Sequence, residues 1–158
     1  VFLAGAHVAH DCRLGDGVIL SNQVLLGGHV EIDDGGMIGG GTAVHQFVRI
    51  GAGAFVGGLS GVEGDVIPFA LASGNRAHLF GLNLVGLRRR GFDPERIAQL
   101  TAAYRHLFET DTNAVLRERI DQLAATDTKN ADVALILDFL RTPSQRPLCA
   151  PRPRGSGA

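Results

Sequence analysis

Polar side chains in the first part of the chain recur at a regular interval, equal to the length of three hexapeptides. The set has His10, Gly28 and Gln46 in one column, Asp11 and His29 in the next and His45 in the one before, and His7 lies one strand earlier on the coil of His10. If the chain coils with that repeat, Gly28 lies directly over His10 and His29 lies over Asp11. Coils spaced like neighbouring strands, about 4.8 Å apart, would confine the set to roughly 10 Å. We therefore predict a small-ligand site along one edge of the molecule.

These residue types suit acyl transfer. Histidine is the side chain whose ordinary pKa near 6.5 lets it accept a proton at neutral pH, so His10 is a candidate general base. Asp11 would fix its tautomer, and the unshielded N–H of Gly28 would donate to an oxyanion. The set contains no well-placed Ser or Cys nucleophile, which favours direct attack on an acyl group by a hydroxyl or an amine.

A six-residue apolar repeat must position this set. The repeat comprises Phe2, Val8, Leu14, Leu20, Leu26, Ile32, Ile38, Val44, Ile50, Val56 and Val62. A mostly small residue follows each of them four positions later, as at Ala6, Cys12 and Ala54. This spacing is typical of a parallel β-helix built from hexapeptides, in which three hexapeptides form one triangular coil. Glycines and Asp residues between the repeats suit the corners.

The repeat weakens at Pro68, and the periodicity becomes helical after Gly74-Asn75. Asp93-Pro94-Glu95 is typical of a helix start, and further helices are predicted over 114–124 and 131–140. From Thr142 onward prolines and small residues predict disorder. The predicted organisation is a β-helix over 1–72, a helical domain over 73–141 and a disordered tail over 142–158.

Composition excludes several classes of protein. The net charge of −1 gives no electrostatic reason to bind nucleic acid or anionic membranes. No apolar run is long enough to span a membrane and no secretory leader is evident, so we expect a cytoplasmic protein. Cys12 and Cys149 are not expected to form a disulfide. Because Val1 is already in repeat register, we expect earlier coils to be missing, and the open coil ends predict self-association.

Seven segments of the chain resemble the UDP-N-acetylglucosamine O-acyltransferases of lipid A synthesis. They are Ala6–Cys12, Gly28–Val30, Ile38–Gly40, Ala43–Phe47, Gly57-Gly58, Gly74-Asn75 and Gly86–Phe92. The resemblance implies a left-handed parallel β-helix followed by a C-terminal helical domain, in a homotrimer with active sites between subunits. It implies transfer of a 3-hydroxyacyl chain from acyl carrier protein to the 3-hydroxyl of UDP-N-acetylglucosamine, the first step of lipid A synthesis. No cofactor and no metal are expected.

The resemblance also implies roles for particular residues. His10 corresponds to the general base, Asp11 to its support and the Gly28 N–H to the oxyanion donor. The implied sugar and acyl-pantetheine residues are His7, His29, His45 and Gln46, and the implied nucleotide contacts are Asn83, Arg89 and Arg90. Gly58 corresponds to the position that limits acyl length, and the bulky Phe55 lies close to it in sequence. Val85 stands where the family commonly has an acidic residue.

Three other functions remain open from the sequence. An amino-sugar N-acyltransferase on the same fold would also use a histidine base. A trimeric zinc enzyme of the carbonic anhydrase type would use histidines from adjacent subunits as ligands. A truncated, non-catalytic β-helix scaffold would need none of these side chains.

Overall fold

The computed structural model describes residues 1–109, 113–126 and 129–152, and its first part is a coiled stack of two-residue strands. These strands are β1 (His7–Val8), β2 (Arg13–Leu14), β3 (Ile19–Leu20), β4 (Leu25–Leu26), β5 (Glu31–Ile32), β6 (Met37–Ile38), β7 (Ala43–Val44), β8 (Arg49–Ile50), β9 (Phe55–Val56) and β10 (Gly61–Val62). They form three parallel faces: β1-β4-β7-β10, β2-β5-β8 and β3-β6-β9. The predicted left-handed parallel β-helix is confirmed.

The inward side chains form the core, as the six-residue repeat predicts. From Leu20 to Val62 every apolar repeat position is buried, and the small positions from Val18 to Val66 are buried with them. The first coil differs, because Phe2 and Val8 are 58% and 36% exposed. Nothing in the described chain stacks on that end of the β-helix, so these two inward side chains contact neighbours on one side only.

The corners repeat with the same period as the core. The second residue of each corner has a positive φ, at Gly5, Asp11, Gly17, Gln23, His29, Gly35, Gly41, Phe47, Gly53 and Leu59. Glycine tolerates this left-handed conformation without steric cost, whereas other residues are strained in it. One edge of the prism uses glycine at all three such positions, 17, 35 and 53. The edge that carries Asp11, His29 and Phe47 uses none.

The β-helix ends in a hairpin and a returning segment. Strand β11 (Ala70–Ser73) pairs with β9 in parallel and with β12 (His78–Leu82) in antiparallel orientation. Leu148 then forms a β-bridge with Asp65, and Pro151 forms one with Leu79. The carboxylate of Asp65, 3% exposed, binds the Arg49 guanidinium at 2.9 Å.

This arrangement differs from the predicted organisation. Among the described residues, the first compact unit comprises 1–83 and 144–152 and the second lies within 84–143, so the first boundary lies at Asn83 rather than near 72. Within the predicted disordered tail, 144–152 pairs with the β-helix and buries Cys149. The two bridges are backbone contacts that composition does not signal. Residues 153–158 lie outside the described part of the chain. Both cysteines are free.

The second unit contains α1 (Leu84–Arg89), α2 (Pro94–Phe108), α3 (Leu116–Thr126) and α4 (Ala131–Arg141). The predicted start of α2 is confirmed, because the Asp93 side chain accepts a hydrogen bond from the Arg96 N–H at 2.8 Å. Asn130 caps α4 in the same way. Apolar side chains form the core of this unit, among them Leu100, Leu107 and Ile136. Among the described residues, no helix combines the length and apolar character needed to cross a membrane.

Candidate active site

The predicted coil of three hexapeptides is confirmed by bonds between successive corners at the edge between β1 and β2. The His29 N–H donates to the His10 carbonyl at 3.0 Å, and the Phe47 N–H donates to the Gly28 carbonyl at 3.0 Å. Each bond joins one corner to the corner of the next coil. The columns inferred from the sequence are therefore real columns of the fold.

Asp11 lies between two histidines. Its Oδ2 is 2.9 Å from His10 Nδ1 and 3.7 Å from His29 Nε2. The two imidazole rings meet edge to face, with centroids 5.0 Å apart. The hydrogen bond from His10, followed by the charge of His29, lowers the pKa of the Asp11 carboxyl below its ordinary value of 3.8. An ionised Asp11 favours the His10 tautomer with its proton on Nδ1, which leaves Nε2 free to accept a proton.

Phe47 supports His29 and was missed by the sequence analysis. Its ring stacks on the His29 imidazole with centroids 4.6 Å apart and planes 5° from parallel. Phe47 lies one coil after His29 in the column that begins with Asp11. The 18-residue repeat places Phe47 in this column, but an apolar ring carries no chemistry that would single it out in the sequence.

Gly28 is buried and lies against the His10 ring. A Cβ built on Gly28 would be 2.7 Å from both Cε1 and Nε2 of His10. Its φ does not lie in the left-handed region, so the backbone conformation does not require glycine there. Glycine at 28 is explained by the space that the imidazole occupies.

The Gly28 N–H is available to an external acceptor, since it donates to no acceptor within the described residues. The chain itself shows what such an N–H binds. Asp16 is the first residue of its corner, as Gly28 is of a corner further along the chain. The Asp16 N–H donates to the Asp34 carboxylate of the next coil at 2.7 Å. An anionic oxygen can therefore occupy this position outside the coil.

His7, His45 and Gln46 lie on the same coils but outside this cluster. All three are exposed, and His45 Nδ1 is 3.2 Å from the Gln46 carbonyl oxygen. Across the described chain, no hydrogen bond or ring contact joins them to His10, Asp11 or His29. The structure thus brings His10, Asp11, Gly28 and His29 into direct contact. The other three residues share the coils of this cluster but do not contact its side chains.

The remaining predicted site residues occupy different elements. Asn83, the last residue of the first unit, donates from Nδ2 to the Gly53 carbonyl at 3.2 Å. Arg89 ends α1 and Arg90 follows it, and both are exposed. Gly58 is exposed at another corner of the β-helix, where an added Cβ would be 3.2 Å from the Gly40 carbonyl oxygen. Phe55 is half-buried in β9.

The same cluster is the one group of described residues with metal-ligand geometry. One potential ligand atom each from His10, Asp11 and His29 lies within 4.8 Å of the others. The hydrogen bond and the ion pair between these residues already account for their proximity.

The fold and the site define a class: a parallel β-helix of hexapeptide coils in which a His–Asp pair packs against a glycine whose N–H donates to no acceptor among the described residues. Residues 65–149 match the model of the second domain of the UDP N-acetylglucosamine O-acyltransferases. That match covers more than half of the chain, and the chain belongs to the UDP-N-acetylglucosamine O-acyltransferase family.

Individual relatives agree with this assignment. An acyl-[acyl-carrier-protein]–UDP-N-acetylglucosamine O-acyltransferase from Sinorhizobium fredii is 45% identical over 99% of the chain and 57% of the relative. The protein of that name from Rhizobium etli is 48% identical over 96% of the chain and 55% of the relative. The solved UDP-N-acetylglucosamine acyltransferase from Campylobacter jejuni is 39% identical, with a TM-score of 0.85 over 93% of the chain and 56% of its own. The chain spans about half the length of the relatives it matches.

Proposed function

We propose that the protein containing this chain transfers a 3-hydroxyacyl group from acyl carrier protein to the 3-hydroxyl of UDP-N-acetylglucosamine. This is the activity that its relatives' names describe, and it would be the first step of lipid A synthesis. The observation that carries the proposal is the contact of the His10–Asp11 pair with Gly28. A proton acceptor then lies beside a residue with a free N–H donor, and acyl transfer uses both groups.

The proposed reaction is direct transfer without an acyl-enzyme. His10 Nε2 takes the proton of the sugar 3-hydroxyl while the hydroxyl oxygen attacks the thioester carbonyl carbon. The carbonyl oxygen becomes an oxyanion that the Gly28 N–H stabilises. Collapse of the tetrahedral intermediate breaks the carbon–sulfur bond, and the pantetheine thiolate leaves with the proton from His10. Asp11 stabilises the imidazolium between these two steps.

The other predicted residues would bind the substrates. His7, His29, His45 and Gln46 would line the sugar and acyl-pantetheine site. Asn83, Arg89 and Arg90 would contact the nucleotide, and guanidinium groups suit a diphosphate. Gly58 would leave room for the acyl tail, with Phe55 limiting its length. The reaction as written needs no metal or other cofactor.

The proposal includes a cytoplasmic homotrimer with acyl carrier protein as its partner. The outward side chains support self-association through two of the three faces. The face with β2, β5 and β8 presents charged residues at Arg13 and Glu31. The face with β3, β6 and β9 presents Ile19, Met37 and Phe55 instead. Apolar outward rows favour contact between copies, whereas the charged row favours solvent.

An assay of the full chain tests this function. The chain is mixed with 3-hydroxyacyl carrier protein and with UDP-N-acetylglucosamine or its 3-amino analogue. We expect transfer to the hydroxyl acceptor, and His10→Ala should reduce turnover by about 10²–10⁴-fold because the general base is lost. His78→Ala, which removes a histidine outside the cluster, is the matched control.

Each other result identifies a different function. Preference for the amine would indicate an N-acyltransferase. Stoichiometric zinc in the purified chain, with activity lost on chelation, would support the alternative of a zinc enzyme. No turnover with either acceptor would support the non-catalytic scaffold. Full turnover by His10→Ala would show that His10 is not the general base.

A further inference from the structure

Cys12 makes a contact that its role as a small inward residue does not require. Its Sγ donates to the Gly27 carbonyl at 3.2 Å, and the two residues belong to successive coils. Cys12 directly follows Asp11, and Gly27 directly precedes Gly28. The thiol therefore connects the segment that carries the His–Asp pair with the segment that carries the free N–H.

The Gly27 carbonyl and the Gly28 N–H belong to one peptide group. Because a trans peptide is planar, its C=O and N–H point in opposite directions. A thiol that holds the carbonyl from inside the coil thereby sets the direction of the N–H outside it. A hydrogen bond to the carbonyl oxygen also polarises the peptide and strengthens its N–H as a donor.

The chain repeats this contact at a second corner. The Thr42 hydroxyl donates to the Gly57 carbonyl at 3.0 Å with the same separation in sequence, and the Ser60 hydroxyl donates to the same oxygen at 2.6 Å. An inward hydroxyl at this register can thus hold a glycine carbonyl without changing the fold. Among the described residues, the Cys12 thiol is the side chain that donates to the Gly27 carbonyl.

We infer that Cys12 is a positioning residue that orients and polarises the Gly27–Gly28 peptide so that its N–H binds the oxyanion. This inference rests on the role proposed for Gly28 in acyl transfer. Cys12 does not touch the substrate and acts only through the peptide. Its effect should appear in the chemical step, since the oxyanion exists only there.

The test compares Cys12→Thr with Cys12→Val in the full chain. These replacements have nearly the same shape, and only threonine carries a donor, as Thr42 does at the second corner. We expect Cys12→Thr to keep kcat within about twofold of the parent. Cys12→Val should lower kcat by roughly three- to tenfold with KM for both substrates unchanged. Val18→Ala, a truncation at a buried inward position of another corner, controls for general destabilisation.

A spectroscopic measurement makes the test independent of turnover. The amide ¹⁵N shift of Gly28 responds to hydrogen bonding at the Gly27 carbonyl, so Cys12→Thr should resemble the parent and Cys12→Val should not. Equal kcat for the valine and threonine variants, or equal Gly28 shifts, overturns the inference. If the parent chain shows no acyl transfer but the shifts differ as expected, the proposed function fails while the coupling of Cys12 to the Gly28 peptide stands.

Discussion

At the scale of single residues, the most informative position is Gly28. The first corner residue is also glycine at 40 and 58, but at the other corners it is His10, Asp16, Asn22, Asp34, Gln46 or Ala52, so the register accepts a Cβ. Glycine at 28 instead makes room for the His10 ring, which a Cβ would approach to 2.7 Å. A residue that looks like an ordinary corner glycine in the sequence is thus fitted to the side chain of the preceding coil.

Gly28→Ala should disable the site while the β-helix stays folded. The added methyl would displace the His10 imidazole, and we expect kcat to fall by about 10²–10⁴-fold, as for loss of the general base. Steady-state kinetics with circular dichroism measures both effects. Ala52→Gly, which removes a Cβ at the same register, should leave kcat unchanged. Normal turnover by Gly28→Ala would contradict the arrangement.

The titration of Asp11 gives a second prediction at this scale. Its folded-state pKa is lowered, first by the His10 hydrogen bond and then by the charge of His29. The linked stability is therefore present above pH 3.8 and is lost as the pH falls through the lower folded value. Carboxyl ¹³C NMR should show Asp11 titrating below 3.8 in the parent and closer to 3.8 in His10→Ala. An unchanged pKa in that variant would show that the hydrogen bond is not its cause.

At the scale of elements, the end of the β-helix depends on one buried carboxylate. Asp65 accepts from the Arg49 backbone N–H at 2.9 Å and from its guanidinium at 2.9 and 3.0 Å. Its own N–H donates to the Pro147 carbonyl, and its carbonyl accepts from the Cys149 N–H. One residue therefore joins β8 to the returning segment 144–152.

Asp65→Asn should destabilise the β-helix by about 3 kcal/mol, because removing one partner of a buried pair leaves the other charge uncompensated. Urea unfolding measures the change. Glu31→Gln is the control, because Glu31 pairs with Arg13 on the exposed charged face at 3.9 Å and should cost less than about 1 kcal/mol. Equal losses would show that burial does not distinguish the two pairs.

The returning segment also predicts cysteine reactivity. Burial raises the pKa of the Cys149 thiol to about 11, and the side chain is 5% exposed. Since the thiolate is the reactive form, Cys149 should react with a thiol reagent at neutral pH only when the segment opens. In Cys12→Thr, which leaves Cys149 as the sole thiol, labelling should become fast when Asp65→Asn is added. Fast labelling without that second substitution would contradict the packing of the segment.

At the scale of the whole molecule, the three faces of the β-helix differ in how they meet their surroundings. Leu59 lies at the corner between the two faces without the charged row and is 80% exposed. Leu25 on the β1-β4-β7-β10 face is 51% exposed. In a trimer built on these two faces, Leu59 and Leu25 would meet another surface together with the outward Ile19, Met37 and Phe55. In the proposed trimer that surface is a second copy of the chain.

Leu59→Glu should therefore weaken self-association, because a carboxylate in an apolar interface loses its hydration. Sedimentation equilibrium should show a trimer for the parent and smaller species for the variant. Arg13→Gln, on the charged face, should leave the mass unchanged. A monomeric parent, or a trimer in both variants, would remove Leu59 from the interface.

The β-helix, its core and the columns of the site could all be predicted from the spacing of residues along the chain. Leu20, Leu26 and Ile32 repeat with a period that only such a coil satisfies, and the stacking of every third hexapeptide follows from it. The start of α2 could be predicted as well, because Asp93 and Pro94 act locally. Local pattern was sufficient wherever each residue's role depends on its position within one repeat.

The contacts between side chains of different coils could not be predicted from residue spacing and are seen only in the folded chain. The stacking of Phe47 on His29, the fit of Gly28 to His10 and the bond from Cys12 to Gly27 all join successive coils. The return of 144–152 to Asp65 spans a longer separation and uses backbone bonds that composition does not encode. The period of the sequence gives the column of each residue, but side-chain shape and orientation decide which contacts form within it.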